Sequence, residues 1–165
     1  MFGRTVKVNF QRIPPQVYLR FRNFDVTCFM DSPLLTFHHF GLAVRRPETA
    51  HLYLSLLGYS LGPAVFDPLQ NVQLQMCRHP AHPAVEIISP GETPGPIDKL
   101  IERHTNGIVY HLCYETTDLN SALKAFEDAG LRVICVSEPK PALLFNNRLV
   151  SFYNVTGMGL IEILE

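Results

Sequence analysis

Two histidines and two glutamates carry most of the chemistry this sequence can do. His39 and His111 stand 72 positions apart in the apolar segments FHHFGLAV and VYHLCYE. Glu86 sits in AVEIIS and Glu162 in GLIEILE, each between apolar residues. A carboxylate inside such a strand is costly to bury alone, so it needs solvent, a partner or a cation. Two neutral imidazoles and two carboxylates suit one divalent transition metal (Zn²⁺, Co²⁺, Ni²⁺ or Mn²⁺), with room left for water or substrate oxygens. Singly, each has an ordinary reading, a satisfied strand histidine or a solvent-face glutamate. Their duplicated placement argues for the metal.

That duplication is an internal repeat. Shifted by 72 positions, FHHFGLAVRRPETAHLYLSLLGYSL overlies VYHLCYETTDLNSALKAFEDAGLRV, matching His39 with His111, Ala50 with Ala122 and Gly58 with Gly130. Each copy opens as a strand, runs into a helix and stops at a glycine suited to the left-handed helix terminus. Pro47 fits the first turn of the first helix, and Thr117 or Asp118 can cap the second. Sheet-like stretches follow at 59–65, 72–77 and 84–88, then at 131–136, 148–153 and 160–164. The fold class is therefore α+β, two βαβββ modules in one curved mixed sheet. Module one spans about 36–92, a connector helix about 94–104, and module two about 107–165. Residues 1–35, broken by Pro14-Pro15, read as a β-rich extension.

Strand alternation decides which side chains can meet. Phe40, Leu42 and Val44 fall on the helix side of the first strand, leaving His39, Gly41 and Ala43 on the open side. In the matching strand Tyr110, Leu112 and Tyr114 are expected inward, with His111, Cys113 and Glu115 on the open side. His38 then points away from the site. His79 and His82 in a proline-broken turn, and His51 and His104 on helical stretches, read as surface residues. Glu86, between Val85 and Ile87, shares the side of His39, and Glu162, between Ile161 and Ile163, shares that of His111.

At 165 residues the chain can bury roughly 70% of its unfolded surface without a disulfide or structural metal. An apolar fraction of 47% argues against disorder, and a net charge of −1 gives no footprint for nucleic acid. Four scattered cysteines form no Cys-x-x-Cys pair, and neither a membrane span nor a signal peptide is apparent. The expectation is a cytoplasmic protein with a small-molecule partner.

The segments HHFGLAV, YHLCYETTDL and GLIEILE together resemble the vicinal-oxygen-chelate (VOC) superfamily, and within it methylmalonyl-CoA epimerase and its glyoxalase-type relatives. The resemblance spans about residues 36–165. It implies His39, Glu86, His111 and Glu162 as metal ligands in a homodimeric isomerase, epimerase or lyase. The chemistry implied is proton abstraction next to a carbonyl of an acyl thioester or 2-oxo acid derivative, the acyl group being carried by coenzyme A or a carrier. Glu162 is the candidate base, with Glu86 as ligand or returning acid. Gln73, Gln75, Cys113 and Arg148 are candidate substrate contacts, Arg148 toward a carboxylate or phosphate, and an ordinary surface position for Arg148 is equally open. No Asp or Glu occurs from Leu69 to Val85, where some epimerases carry a further acid. The other readings are a biosynthetic relative acting on a carrier-bound substrate and a non-catalytic binding or resistance protein.

Overall fold

A computed structural model describes residues 34–165. The expected extension lies outside the described residues, apart from its last two.

The elements follow one another as β1 (Thr36–Ala43), α1 (Pro47–Leu56), β2 (Ser60–Asp67), β3 (Val72–Arg78), β4 (Ala84–Pro90), α2 (Asp98–Arg103), β5 (Ile108–Glu115), α3 (Leu119–Asp128), β6 (Val133–Ala142), β7 (Arg148–Val155) and β8 (Gly159–Leu164). All eight strands join one mixed sheet in the order β2-β3-β4-β1-β5-β8-β7-β6. Each half is a βαβββ unit whose first and last strands pair in parallel, β1 with β4 and β5 with β8. The halves meet where β1 and β5 run antiparallel at the centre.

The helices show why the sequence repeats. Pro47 occupies the start of α1, where its missing N–H costs nothing. Asp118 caps α3, its Oδ1 accepting from the Ser121 amide at 3.0 Å. Both helices then end alike. Gly58 (φ 88°) and Gly130 (φ 75°) turn left-handed, and the next amide reaches back to the last turn, Tyr59 to the Leu54 carbonyl at 3.0 Å and Leu131 to that of Phe126 at 2.9 Å.

Apolar residues pack both faces of the sheet. On the outer face α1 lays Ala50 and Leu54 over Val85 and Ile87, with Phe40 and Leu42 alongside. Around α3, Leu123 and Phe126 cover Ile161 and Ile163 in the same way. The inner face carries Met76, Cys113, Phe145, Val150, Phe152 and Leu164 in one cluster. Beside it, α2 seats Ile101 against Val72, Leu74 and Ile88.

Three expectations about elements are corrected. The connector helix is only Asp98–Arg103, because Pro94 and Pro96 keep the preceding segment out of helix. Strand β6 runs on to Ala142, through Pro139 and Pro141, because an edge strand can spare the amide hydrogens that proline lacks. Tyr110 does not point to the helix face. Leu42 pairs with Val109 and Gly41 with His111, so Tyr110 is an extra residue in β5, and this bulge brings its ring to the inner side with His111. Among the described residues no helix is long and apolar enough to cross a membrane.

Candidate metal centre

The four central strands each deliver one donor: His39 from β1, Glu86 from β4, His111 from β5 and Glu162 from β8. Register brings them level, with Gly41 opposite both Glu86 and His111, and Glu162 opposite Cys113. Gly41 is needed where it stands, because the His111 ring lies over its α-carbon in the space a Cβ would fill.

The donor atoms form a tight set. His39 Nε2 lies 3.5 Å from Glu86 Oε2 and 3.4 Å from Glu162 Oε2. His111 Nε2 lies 3.5 Å from each of the same oxygens and 3.4 Å from His39 Nε2. Donor atoms 3.4–3.5 Å apart can all reach one divalent ion at roughly 2.1 Å, the usual Zn–N and Zn–O distance. All four residues are buried, and Glu162 Oε2 has no hydrogen-bond partner among the described residues. Such an orphaned oxygen is costly unless something else satisfies it. The residues present fit a divalent cation.

Electrostatics agree. Burial lowers His39 to about 4 against the pull of Glu162, and burial with His39 beside it lowers His111 to about 3, so both imidazoles are neutral at pH 7. Burial raises Glu86 to about 8, helped by the charge of Asp67, and raises Glu162 to about 8, helped by Glu86. Without a cation both carboxyls keep their protons near neutrality.

A pH dependence follows. Between 4.5 and about 8 the folded state binds more carboxyl protons than the unfolded chain, so these groups make stability fall as pH rises. Between about 4 and 6.5 the unfolded chain binds more imidazole protons, so the histidines make it rise. The two pairs offset each other from 4.5 to 6.5, and only the carboxyls remain from 6.5 to 8. Chelator-treated protein should therefore show a plateau in thermal midpoint up to pH 6.5 and lose on the order of 5–10 °C by pH 8. Saturating zinc, which selects the ionised carboxylates, should reverse that trend. Thermal melts with and without zinc across this range check it; chelated protein most stable at pH 8 contradicts it.

Glu86, His111 and Glu162 form the floor of a small cup walled by Leu74, Ile88, Tyr110, Ala142, Phe145 and Phe152, while His39 is fully buried and does not line it. Gln70, Tyr110 and Phe152 also line a larger cleft of about 570 Å³, whose outer wall includes Pro96, Ile97, Ser137 and Lys140. Buried, mostly apolar walls leading to a few polar groups are the usual form of a small-molecule site.

The candidate substrate contacts are not all brought there. Gln73 and Gln75 lie on the outer face, because Gln75 pairs with Ile87 while Leu74 and Met76 take the inner positions beside Ile88 and Glu86. Gln75 instead donates to the Gly62 carbonyl of β2 at 2.7 Å. Arg148 sits at a partly exposed strand end, its guanidinium 3.3 Å from Glu115 and donating to the Glu165 carbonyl at 2.8 Å. Cys113 does share the inner face with His111, but it is fully buried among core side chains beneath Glu162.

Three other residues were not singled out from sequence. Tyr110 joins cup and cleft, and burial holds its phenol protonated. Asp67, 2% exposed, borders the cleft and accepts from the Leu69 amide at 2.8 Å and Gln70 Nε2 at 3.2 Å. A buried Asp at the mouth of a turn reads as a capping residue in sequence, which gives it no distinguishing signal. His38 touches His39 directly, Nδ1 to Nδ1 at 2.7 Å.

Two βαβββ halves sharing one sheet around a four-donor cup define a VOC-type protein. Residues 38–152 match the family described as the Glyoxalase/Bleomycin resistance protein/Dioxygenase superfamily, and the chain belongs to it. An ethylmalonyl-CoA/methylmalonyl-CoA epimerase of Cereibacter sphaeroides is 30% identical over 104 residues, covering 62% of this chain and 77% of the relative. The crystal structure of methylmalonyl-CoA epimerase from Mycobacterium tuberculosis shares the fold at a TM-score of 0.65 and 19% identity, covering 80% of this chain and 89% of that one. So does a Streptomyces coelicolor methylmalonyl-CoA epimerase variant in complex with 2-nitronate-propionyl-CoA, at a TM-score of 0.62 and 17% identity over 79% and 96% of the two chains.

Proposed function

We propose that this chain is a metal-dependent epimerase-type isomerase that moves a proton at the carbon next to the carbonyl of an acyl-coenzyme A thioester. The observation that carries the reading is a buried quartet of two neutral imidazoles and two carboxyls, three of them lining a small cup that shares Gln70, Tyr110 and Phe152 with a cleft of about 570 Å³. The epimerase relatives, one of them bound to a nitronate of propionyl-CoA, support the substrate class.

His39, Glu86, His111 and Glu162 would hold the ion. When bound, a divalent cation supplies a Lewis acid that stabilises negative charge on the substrate's carbonyl oxygens. Glu162 takes the proton from the acidic carbon, because its carboxylate faces the cup from beneath the substrate position. Glu86, facing it from the other module, returns a proton. Leu74, Ile88, Phe145 and Phe152 exclude water, which strengthens every charge interaction at the floor. The Tyr110 hydroxyl, at the junction of cup and cleft, is placed to hydrogen-bond the thioester or a neighbouring carboxylate. Ser137 and Lys140 on the outer wall suit the polar, anionic coenzyme end.

Incubating the zinc-loaded protein with 2-branched malonyl-, acetyl- and propionyl-CoA thioesters and with hemithioacetals in deuterated water tests the reading by mass spectrometry. We expect uptake of a single deuteron into a branched malonyl thioester, and elemental analysis should find about one metal per chain. Protein that holds its metal yet labels nothing in the panel overturns the proposal.

A further inference from the structure

We infer that His38 is a positioning residue for the metal centre, accepting the Nδ1–H of His39 and thereby fixing the tautomer that leaves His39 Nε2 free for the cation. The inference rests on the metal-centre reading and concerns a residue that strand alternation directs to the opposite face of the sheet.

The geometry starts with a bulge. Phe37 pairs with Tyr114 and His39 with Cys113, so His38 is the extra residue of β1. A bulge breaks the two-residue alternation and lets neighbouring side chains share one side. His38 consequently stands against His39, ring centroids 5.0 Å apart at 77°, and meets the edge of Phe145 at 5.6 Å and 83°. Phe145 holds both rings, since it also lies 5.6 Å from His39. A regular strand would put His38 among the outer apolar side chains with Phe40 and Leu42.

The hydrogen count then leaves one arrangement. His39 turns Nε2 toward Glu86 and Glu162, so that nitrogen must keep its lone pair for a cation. A neutral imidazole carries its single N–H on the other nitrogen, here Nδ1. The partner at that atom is His38 Nδ1 at 2.7 Å, which accepts. His38 therefore carries its own hydrogen on Nε2. Partners of this kind orient a ligating histidine and raise its basicity, and losing one typically costs about 10- to 100-fold in metal affinity.

The second histidine makes the comparison. His111 Nδ1 is buried with no hydrogen-bond partner among the described residues. On that side its ring is held by packing, over Gly41 and against Phe152 at 5.7 Å and Tyr110 at 4.7 Å. The centre thus pairs one ligand oriented by a hydrogen bond with one oriented by steric fit. The bond to His38 is the element that sets which nitrogen the β1 ligand presents.

Zinc affinity, measured by competition with a chromophoric chelator, tests this with two variants. His38→Phe keeps a ring against Phe145 but offers no acceptor, and should bind zinc about 10- to 100-fold more weakly. His38→Asn places an amide oxygen where Nδ1 was, and should stay within about threefold of the parent protein. In the parent protein loaded with zinc, nitrogen-detected NMR of the imidazoles should show His39 protonated at Nδ1 and His38 at Nε2. Parent protein that binds zinc while His38→Phe matches it, or while His38→Asn is as weak as His38→Phe, overturns the role of His38 alone. So does a His39 spectrum with the hydrogen on Nε2, which needs no variant to fold. Parent protein that binds none of zinc, cobalt, nickel or manganese overturns the metal centre itself.

Discussion

Glu162→Gln is expected to reduce deuterium exchange into substrate by about 10³-fold, within the roughly 10²- to 10⁴-fold range of a positioned general base. The amide keeps the size of the side chain and one oxygen facing the histidines, so shape and packing on β8 are preserved. What it loses is the capacity to accept a proton from carbon. Folding should be little affected, because the native carboxyl is itself uncharged near neutrality when no cation is bound. The substitution also removes one of the two groups that destabilise the chelated protein above pH 6.5. The variant should therefore lose less of its thermal midpoint between pH 6.5 and 8 than the parent does. Glu86→Gln provides the contrast. If Glu86 returns the proton from the opposite side, this variant retains exchange starting from one stereoisomer while inversion slows. Exchange measured on separated stereoisomers distinguishes the two roles. Glu162→Gln exchanging at the parent rate removes Glu162 from the chemistry.

The parts of this architecture legible in the sequence are those governed by local rules repeated twice. The 72-residue offset recurs in the structure, with β1 and β5 beginning at Thr36 and Ile108 and α1 and α3 spanning Pro47–Leu56 and Leu119–Asp128. Helix ends were readable because a left-handed terminus selects glycine. The side taken by Glu86 and Glu162 was readable because Val85, Ile87, Ile161 and Ile163 must lie under helices. Residues misplaced from sequence fall where alternation carries too little information. A bulge has no obligatory residue type here, so nothing in FHHFG or VYHLC announces that His38 and Tyr110 turn inward. Alternation groups Gln73 with Gln75 but does not say which face the pair takes. Because apolar clusters pack both faces of this sheet, polarity could not decide it. Arg148 and Glu115 illustrate a third limit: two charged strand ends that satisfy each other across β5, β8 and β7 look, in sequence, like unused charges.

Gly41→Ala should be highly damaging to the metal centre although it adds a single methyl group. A Cβ at residue 41 would stand 2.5 Å from His111 Nε2 and 2.7 Å from Nδ1, well inside van der Waals contact. One of the two must yield. Strand β1 cannot easily move, since β4 and β5 bond it on both sides at the centre of the sheet. The His111 ring can yield only by tilting against Phe152, Tyr110 or His39, which surround it at 4.7 to 5.7 Å. Either way Nε2 leaves its place in the quartet. A displacement of about 1 Å at a reacting group costs on the order of 100-fold, and a ligand so displaced should weaken zinc binding by at least about that factor. Overpacking should add about 1–3 kcal/mol of instability to the chelated protein. The cause can be isolated by coupling. In a His111→Ala background the ring is gone, the methyl group has space, and Gly41→Ala should cost the chelated protein little. Chelator competition and denaturant unfolding of the four proteins measure both effects. Zinc affinity in Gly41→Ala equal to that of the parent would mean that the His111 ring does not rest on Gly41, and the geometry of the cup would have to be redrawn.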